Sequence, residues 1–100
     1  MSKPWTYEPP KGAVHVHELA HPIEVGGTTL THVELRRPRG RDLRATDGLK
    51  PMTQQLQLIE LCGNLTRAAV EELDATDIAA LGAVLSGFLE SGPPTGASDS

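Results

Sequence analysis

The chain has 100 residues, a net charge of −4 at pH 7 and a single cysteine, Cys62. A chain of this length forms one domain at most, and a lone cysteine excludes an intrachain disulfide and fits a reducing compartment. There is no apolar run after Lys3 and no apolar segment near the ~20 residues that span a bilayer, so we expect a soluble protein without a signal peptide.

Both ends of the chain carry little apolar surface to bury. Residues 1–12 are mostly polar and include three prolines, and residues 91–100 read SGPPTGASDS. We therefore expect a disordered tail at each end and a single domain at residues 13–90. A core of this size supplies only ~3–5 kcal/mol, so partner binding or self-association is a reasonable expectation.

The basic residues are concentrated in one short segment. Residues 36–44 (RRPRGRDLR) hold five of the nine Lys and Arg, whereas residues 52–100 hold only Arg67 against seven acidic residues. A nucleic-acid-binding domain is usually basic overall, and this segment has no aromatic residues for base stacking. We expect it to be solvated and paired with carboxylates such as Asp42, or else to dock a protein partner, with nucleic acid third. The candidate docking residues are Arg36, Arg37, Arg39 and Arg41.

The first predicted element is a strand at residues 13–19. Val14 and Val16 alternate with His15 and His17 there, which is the two-residue period of a half-buried strand. Because valine is the more apolar residue, we assign the histidines to the solvent face.

A β-hairpin is predicted at residues 23–35. Its turn is Gly26-Gly27, since glycine accepts the positive φ angles of two-residue hairpin turns. Pro22, which cannot donate a ladder hydrogen bond, separates the hairpin from the first strand, and Pro38 ends the β-rich region at residues 13–38. In the return strand, Leu30 and His32 should share one face, with Thr31, Val33 and Leu35 on the other.

For residues 41–90, the sequence predicts one helical turn and then a bundle of about three helices. The turn should bury Leu43. The next helix begins with Pro51, which suits a first turn, and ends before Gly63-Asn64, which accept the left-handed conformation. Its apolar side chains form two adjacent stripes: Met52, Leu56, Ile59 and Cys62 in one, and Leu58, Leu61 and Leu65 in the other.

Two N-cap signals mark the remaining helices. Thr66 caps a short helix through Leu73, and Asp74 caps a final helix, with Asp77 in its first turn near the positive end of the helix dipole. The final helix should bury Ile78, Leu81, Leu85 and Phe88. The fold class is therefore α+β: a small N-terminal β-hairpin or meander followed by a C-terminal helical bundle.

Gly82 and Gly87 lie inside the final helix. Each costs ~1 kcal/mol relative to alanine. We therefore expect something to pack closely against them.

The four histidines are the strongest candidate for a metal site. His15 and His17 share a face of the first strand, and His21 and His32 could approach them, as zinc coordination requires. The only thiol, Cys62, lies far away on a helix, and alternating histidines fit the solvent face of a strand. We expect no metal site and no cofactor.

Catalysis and DNA binding find little support. No serine stands in a nucleophile context, and Cys62 lies on an apolar helix stripe, so we expect no enzyme. Residues 52–73 can be fitted to a helix-turn-helix pattern. Its recognition helix would turn Glu71 and Glu72 towards the phosphates, which argues against DNA.

Three segments occur in an informative order. They are HPIEVGGTTLTHVELRRP at residues 21–38, GRDLRA at residues 40–45 and LTRAAVEELDATDIAALGAVLSGFL at residues 65–89. Over about residues 19–89, the chain resembles the tail assembly chaperone family of Mu-like and related contractile-tailed phages.

The resemblance implies a non-enzymatic protein in the cytoplasm of the bacterial host. Such proteins bind the long helical tape-measure protein, keep it soluble while the tail tube assembles, and then leave, so we expect absence from the mature virion. Members are commonly the shorter of two products, so a frameshift-extended form of the chain is a second expected partner. A small DNA-binding regulator and a structural tail component remain the alternatives.

An apolar groove would suit the amphipathic helices of such a partner. We expect the two stripes at residues 52–65 and the last helix to supply it. The predicted contact residues are Leu58, Leu61, Leu85, Phe88 and Leu89. Apolar residues at helical spacing usually belong to the core, so a core position is an equally good interpretation for each of the five. If Leu58 is a contact, Leu58→Asp should weaken partner binding and leave the helix content intact.

Overall fold

A two-stranded antiparallel sheet followed by four helices makes up residues 6–91, the part of the chain that the computed structural model describes. The elements are β1 (His15–Val25), β2 (Thr28–Leu35), α1 (Gly40–Thr46), α2 (Pro51–Gly63), α3 (Arg67–Glu72) and α4 (Ala75–Ser91). This order confirms the predicted α+β class. Within these residues, no helix has the length and apolar content to cross a membrane. Of the predicted tails, residues 1–5 and 92–100 lie outside the described residues.

The segment before β1 is attached to the domain through Tyr7. Its hydroxyl donates to the Gly63 carbonyl oxygen at 2.8 Å and accepts a hydrogen bond from the Glu34 N–H at 3.1 Å. The Tyr7 ring also meets the His32 ring edge-on. Packing against the domain therefore begins before residue 13, the predicted domain start.

β1 continues through Pro22, where we expected a break. Glu18 pairs with His32 and Ile23 pairs with Leu30, so the four residues between them on β1 oppose a single residue on β2. Pro22 lies in this large bulge, where a missing ladder N–H does no harm. The predicted strand and the first hairpin arm are therefore one bulged strand.

The two faces of β1 are opposite to the predicted ones. Val14, just before β1, and Val16 are 60% and 58% exposed, whereas His15 and His17 are half-buried and Leu19 is buried. The prediction was wrong because it weighed side-chain polarity alone. His17 has a polar partner inside the fold, Asp77, which is described below.

β2 supplies the centre of the core. Val33 and Leu35 are fully buried, and Leu30 is also buried, although alternation places it on the other face. Leu30 lies beyond the bulge, where the added twist turns the far end of the hairpin towards the helices. The buried apolar residues in the described part of the chain are Leu19, Leu30, Val33, Leu35, Leu58, Ile59, Cys62, Leu65, Ala69, Val70, Leu73, Leu81 and Leu85.

α1 buries polar residues instead of the predicted Leu43. Leu43 is 40% exposed, whereas Asp42 and Thr46 are buried. Arg36 donates two hydrogen bonds to the Asp42 carboxylate, at 2.7 and 3.0 Å. Thr46 Oγ1 donates to the Asp42 carbonyl oxygen at 3.0 Å. The prediction for Leu43 was wrong because an ion pair orients this helix.

Local signals set the ends of α2. Pro51 is its first residue, and Asn64, just after its end, has a φ of 55°. Gly63 remains helical; a Cβ there would lie 3.2 Å from Val33 Cγ1, so glycine lets α2 approach β2 closely. Met52, predicted to lie on an inward stripe, is instead 60% exposed.

Side-chain caps begin the last two helices. Thr66 Oγ1 accepts a hydrogen bond from the Ala69 N–H at 3.1 Å. Asp74 Oδ2 accepts one from the Thr76 N–H at 2.9 Å. Both predicted N-caps are therefore confirmed.

Candidate partner-binding site

A cleft of about 250 Å³ lies between α2 and α4. We call it the α2–α4 cleft. Leu58 and Leu85 form its buried floor, whereas Leu43 and Leu89 lie on its rim and are 40% and 48% exposed. The residues that line it are Leu43, Pro51, Gln54, Gln55, Leu58, Gly82, Leu85, Ser86 and Leu89.

Gly82 allows the Gln55 side chain to lie between α2 and α4. Gln55 Nε2 donates to the Ile78 carbonyl oxygen at 3.1 Å, and its side chain overlaps the place that a Cβ on residue 82 would take. The close packing predicted at Gly82 is therefore confirmed. At Gly87 the same prediction finds no support, because a Cβ there would meet no atom of the described residues within 4 Å.

The structure brings together three of the five predicted contact residues. Leu58, Leu85 and Leu89 all line the α2–α4 cleft. Leu61 lines a different cleft. Phe88 lies beneath Arg37, whose guanidinium carbon is 5.1 Å from the ring centroid.

Leu43 and Gln55 are cleft residues that the sequence analysis missed. The exposure of Leu43 follows from the ion pair that holds α1; the sequence predicts a pairing of the arginines with Asp42, but not that this pairing leaves Leu43 exposed. The signal for Gln55 was indirect, because the unfavourable glycine at residue 82 indicated a close neighbour without identifying it.

The arginine cluster divides into two groups. Arg36 and Arg37 are used inside the fold, since Arg36 pairs with Asp42 and Arg37 Nη2 donates to the Phe88 carbonyl oxygen at 3.2 Å. The hydrogen bonds from Arg36 hold the pKa of Asp42 below its ordinary value. The predicted pairing with Asp42 is thus confirmed for Arg36, whereas the Arg39 and Arg41 side chains are exposed.

A second cleft, of about 350 Å³, is bordered by cationic side chains. We call it the basic cleft, and it is lined by Pro9, Pro10, Lys11, Arg36, Arg39, Arg41, Leu61 and Asn64. A hollow of about 280 Å³ shares Lys11, Arg36 and Arg39 with it and extends to Arg37 and Val14. Each of the four arginines predicted to dock a partner therefore lines one or both of these neighbouring spaces.

Asp77 forms a buried polar centre between β1 and α4. Its carboxylate accepts hydrogen bonds from the Ala20 N–H at 2.8 Å and the His21 N–H at 3.1 Å, and His17 Nε2 lies 3.1 Å from Oδ1. Burial raises the pKa of Asp77, but the hydrogen bonds from Ala20, His17 and His21 outweigh it and hold the pKa below its ordinary value. We had assigned Asp77 only to the helix dipole, because its partners lie far away along the chain.

Residues 6–91 offer few side chains that are arranged for metal binding or for nucleophilic attack. No group of three or more His, Cys, Asp or Glu side chains there could hold a metal ion. His17, His21 and His32 each lie near a different carboxylate, as His32 Nε2 does at 3.2 Å from Glu34 Oε2. Burial raises the pKa of the Cys62 thiol to about 11, so at neutral pH it stays protonated and is a poor nucleophile.

The chain matches a known protein family over most of its length. The family described as "Phage tail assembly chaperone proteins, E, or 41 or 14" matches residues 16–90, which run from β1 to α4. Searches of curated proteins and of solved structures found no match. The matched segment covers more than half of the chain and agrees with the resemblance of the three sequence segments. The chain therefore belongs to the phage tail assembly chaperone family.

Proposed function

We propose that the chain binds the tape-measure protein of a phage tail and keeps it soluble while tail-tube subunits assemble around it. The observation that carries this proposal is the family match over residues 16–90. The tape-measure protein is long and helical, and its apolar faces are exposed until the tail tube encloses them. Exposed apolar faces associate in water, so this component needs such protection.

In this proposal the α2–α4 cleft receives the apolar face of a tape-measure helix. An amphipathic helix presents apolar side chains at spacings of three and four residues, and such a face suits a groove between two helices. Leu43 and Leu89 make the first contacts because they are exposed on the rim. Leu58 and Leu85 form the apolar floor beneath them.

The proposed role is non-enzymatic and is carried out in the cytoplasm of the bacterial host. The chaperone leaves when the tube encloses its partner, and it is therefore absent from the mature virion. A frameshift-extended form of the chain is a second proposed partner.

Co-expression with the long helical protein encoded nearby tests the proposal. We expect the two proteins to co-purify and the soluble fraction of the helical partner to rise. Leu89→Asp places a charge on the cleft rim and should lower recovery of the complex about tenfold, the effect of losing one anchor of ~1.4 kcal/mol. Leu43→Asp should act in the same direction.

Met52→Asp is the matched control for both rim variants. Met52 is exposed on α2 but does not line the cleft, so the same charge should leave recovery within about twofold. Equal losses with Met52→Asp would attribute the effect to net charge and reject the cleft. Leu58→Asp is a poor test, because Leu58 belongs to the buried core and a charge there destabilises the fold.

Three results would reject the chaperone role. One is a partner that is equally soluble alone and does not co-purify. Another is recovery of the chain in purified tail particles, which would indicate a structural tail component. The third is retention on DNA that weakens steeply with salt, which would indicate a DNA-binding regulator.

A further inference from the structure

The basic cleft is separate from the cleft assigned to the tape-measure helix. We propose that it binds an acidic segment of a partner polypeptide. The inference stands apart from the proposed function, because it rests on different residues and makes no use of the α2–α4 cleft.

Three cations of the basic cleft form no ion pair among the side chains that the structure describes, although the charge of Arg41 also contributes to the lowered pKa of Asp42. Lys11, Arg39 and Arg41 are exposed, and none of them forms an ion pair with any of residues 6–89. The adjacent carboxylate, Asp42, is already engaged by the Arg36 guanidinium and by the Arg39 backbone N–H at 2.7 Å. The cleft thus concentrates positive charge in a chain whose net charge is −4.

The backbone that carries these cations is held in place. Arg39 and Arg41 flank Gly40, the first residue of α1, and the Asp42 carboxylate fixes this turn. Lys11 follows the segment that Asn64 Nδ2 anchors through a 2.8 Å hydrogen bond to the Glu8 carbonyl oxygen. The cations therefore converge from two anchored segments, and preorganisation of this kind lowers the entropy cost of binding.

The cleft suits carboxylates on a polypeptide better than the phosphates of a nucleic acid. A guanidinium binds a carboxylate or a phosphate through two parallel hydrogen bonds, so the other walls of the cleft decide between them. Pro9, Pro10 and Leu61 add apolar walls, and exposed Val14 lies in the neighbouring hollow. An acidic segment that also carries apolar side chains can use both kinds of contact.

Two further features disfavour nucleic acid. Among the described residues, no aromatic ring lines the basic cleft or the neighbouring hollow, so bases would have no stacking platform there. A long polyanion would also extend past the cleft along a chain of net negative charge, which repels it. A short run of carboxylates avoids this repulsion.

Titration of the full chain with a fluorescent polyglutamate peptide tests the inference. We expect saturable binding at low salt that weakens as salt is added. The paired change Arg39→Glu and Arg41→Glu should lower the affinity about tenfold or more, because two carboxylate contacts become repulsive. Lys11→Glu should lower it in the same direction from a separate segment, so the test survives if the α1 variant fails to fold.

The matched control is the pair Lys50→Glu and Arg67→Glu. Both residues are exposed and lie outside the basic cleft, and the pair alters the net charge by the same amount. Its affinity should stay within about threefold of the native chain, since distant surface charges are screened. Thermal unfolding followed by circular dichroism would verify that each variant is folded.

Three outcomes would overturn the inference. The first is the absence of saturable peptide binding by the native chain. The second is an equal loss of affinity in the two charge-reversed pairs, which would make the attraction non-specific. The third is tighter binding to single-stranded DNA of the same length, with the same dependence on Arg39 and Arg41, which would make this a nucleic-acid site.

Discussion

Asp77 shows how one side chain fixes the relation between a strand and a helix. The carboxylate lies in the first turn of α4 and accepts the backbone N–H groups of Ala20 and His21, which lie in the bulge of β1. His17 adds a third contact from the same strand. One residue thereby accepts the N–H groups of a bulged segment that has no ladder partners on β2.

We expect Asp77→Asn to lower the free energy of unfolding by about 1–3 kcal/mol. Asparagine offers one acceptor oxygen where the carboxylate accepts from three groups, and its amide would face an N–H donor. Urea unfolding at pH 7 measures the loss. Glu72→Gln, at an exposed carboxylate, is the control and should change stability by less than about 0.5 kcal/mol.

The same carboxylate should make stability depend on pH. The folded pKa of Asp77 lies below the unfolded value of about 3.9, so its stabilisation is fully present above that value and is lost as the pH falls through the folded pKa. The difference in unfolding free energy between the native chain and Asp77→Asn should therefore shrink in acid. A difference that stays constant down to the acid transition would contradict this assignment.

At the scale of the elements, helix ends could be predicted, whereas the buried faces of β1 and α1 could not. Pro51, Asn64 and Thr66 act on groups within a few residues, so the local sequence contains the whole cause. The buried face of β1 depends on Asp77, 60 residues from His17. The exposure of Leu43 likewise depends on a pairing between two other residues. In β1, alternation reveals which residues share a face, but a distant partner decides which face is buried.

We expect Gly87→Ala to stabilise the chain and Gly82→Ala not to. Alanine in a helix interior gains about 1 kcal/mol over glycine. At residue 87 the added Cβ meets no atom of the described residues within 4 Å, so this gain in stability is retained. At residue 82 it displaces Gln55 and breaks the hydrogen bond to Ile78, which offsets the gain. Urea unfolding of both variants measures the difference.

The double variant Gly82→Ala with Gln55→Ala is the control for this contrast. It removes the overlapping side chain, so alanine at residue 82 should stabilise the Gln55→Ala background. Equal stabilisation by Gly82→Ala and Gly87→Ala in the native background would show that Gln55 does not pack against α4.

At the scale of the whole molecule, the segment before β1 ties the sheet to the helices. The Tyr7 hydroxyl joins Glu34 of β2 to Gly63 at the end of α2, and the Arg36 N–H donates to the Cys62 carbonyl oxygen at 3.1 Å beside it. Composition predicted a tail here because residues 1–12 contain little to bury. Composition describes the polarity of the segment as a whole. The hydrogen bonds of one aromatic hydroxyl are enough to attach this segment to the rest of the domain.

We expect Tyr7→Phe to lower the free energy of unfolding by about 1–2 kcal/mol. The ring remains, so its edge contact with His32 is kept, and only the hydrogen bonds to β2 and α2 are lost. Chemical denaturation of this variant beside the native chain measures the cost. Unchanged stability would show that solvent replaces the hydroxyl without penalty.

The bulge in β1 also affects whether strands of different copies of the chain can pair with each other. A two-stranded sheet has open edges, and a long regular edge is a template on which strands of other molecules can add. The Ala20 and His21 N–H groups are already bonded to Asp77, and the ladder register is broken there. β1 therefore offers a second molecule only short, interrupted stretches of backbone, which disfavours the addition of a strand at this edge of the sheet.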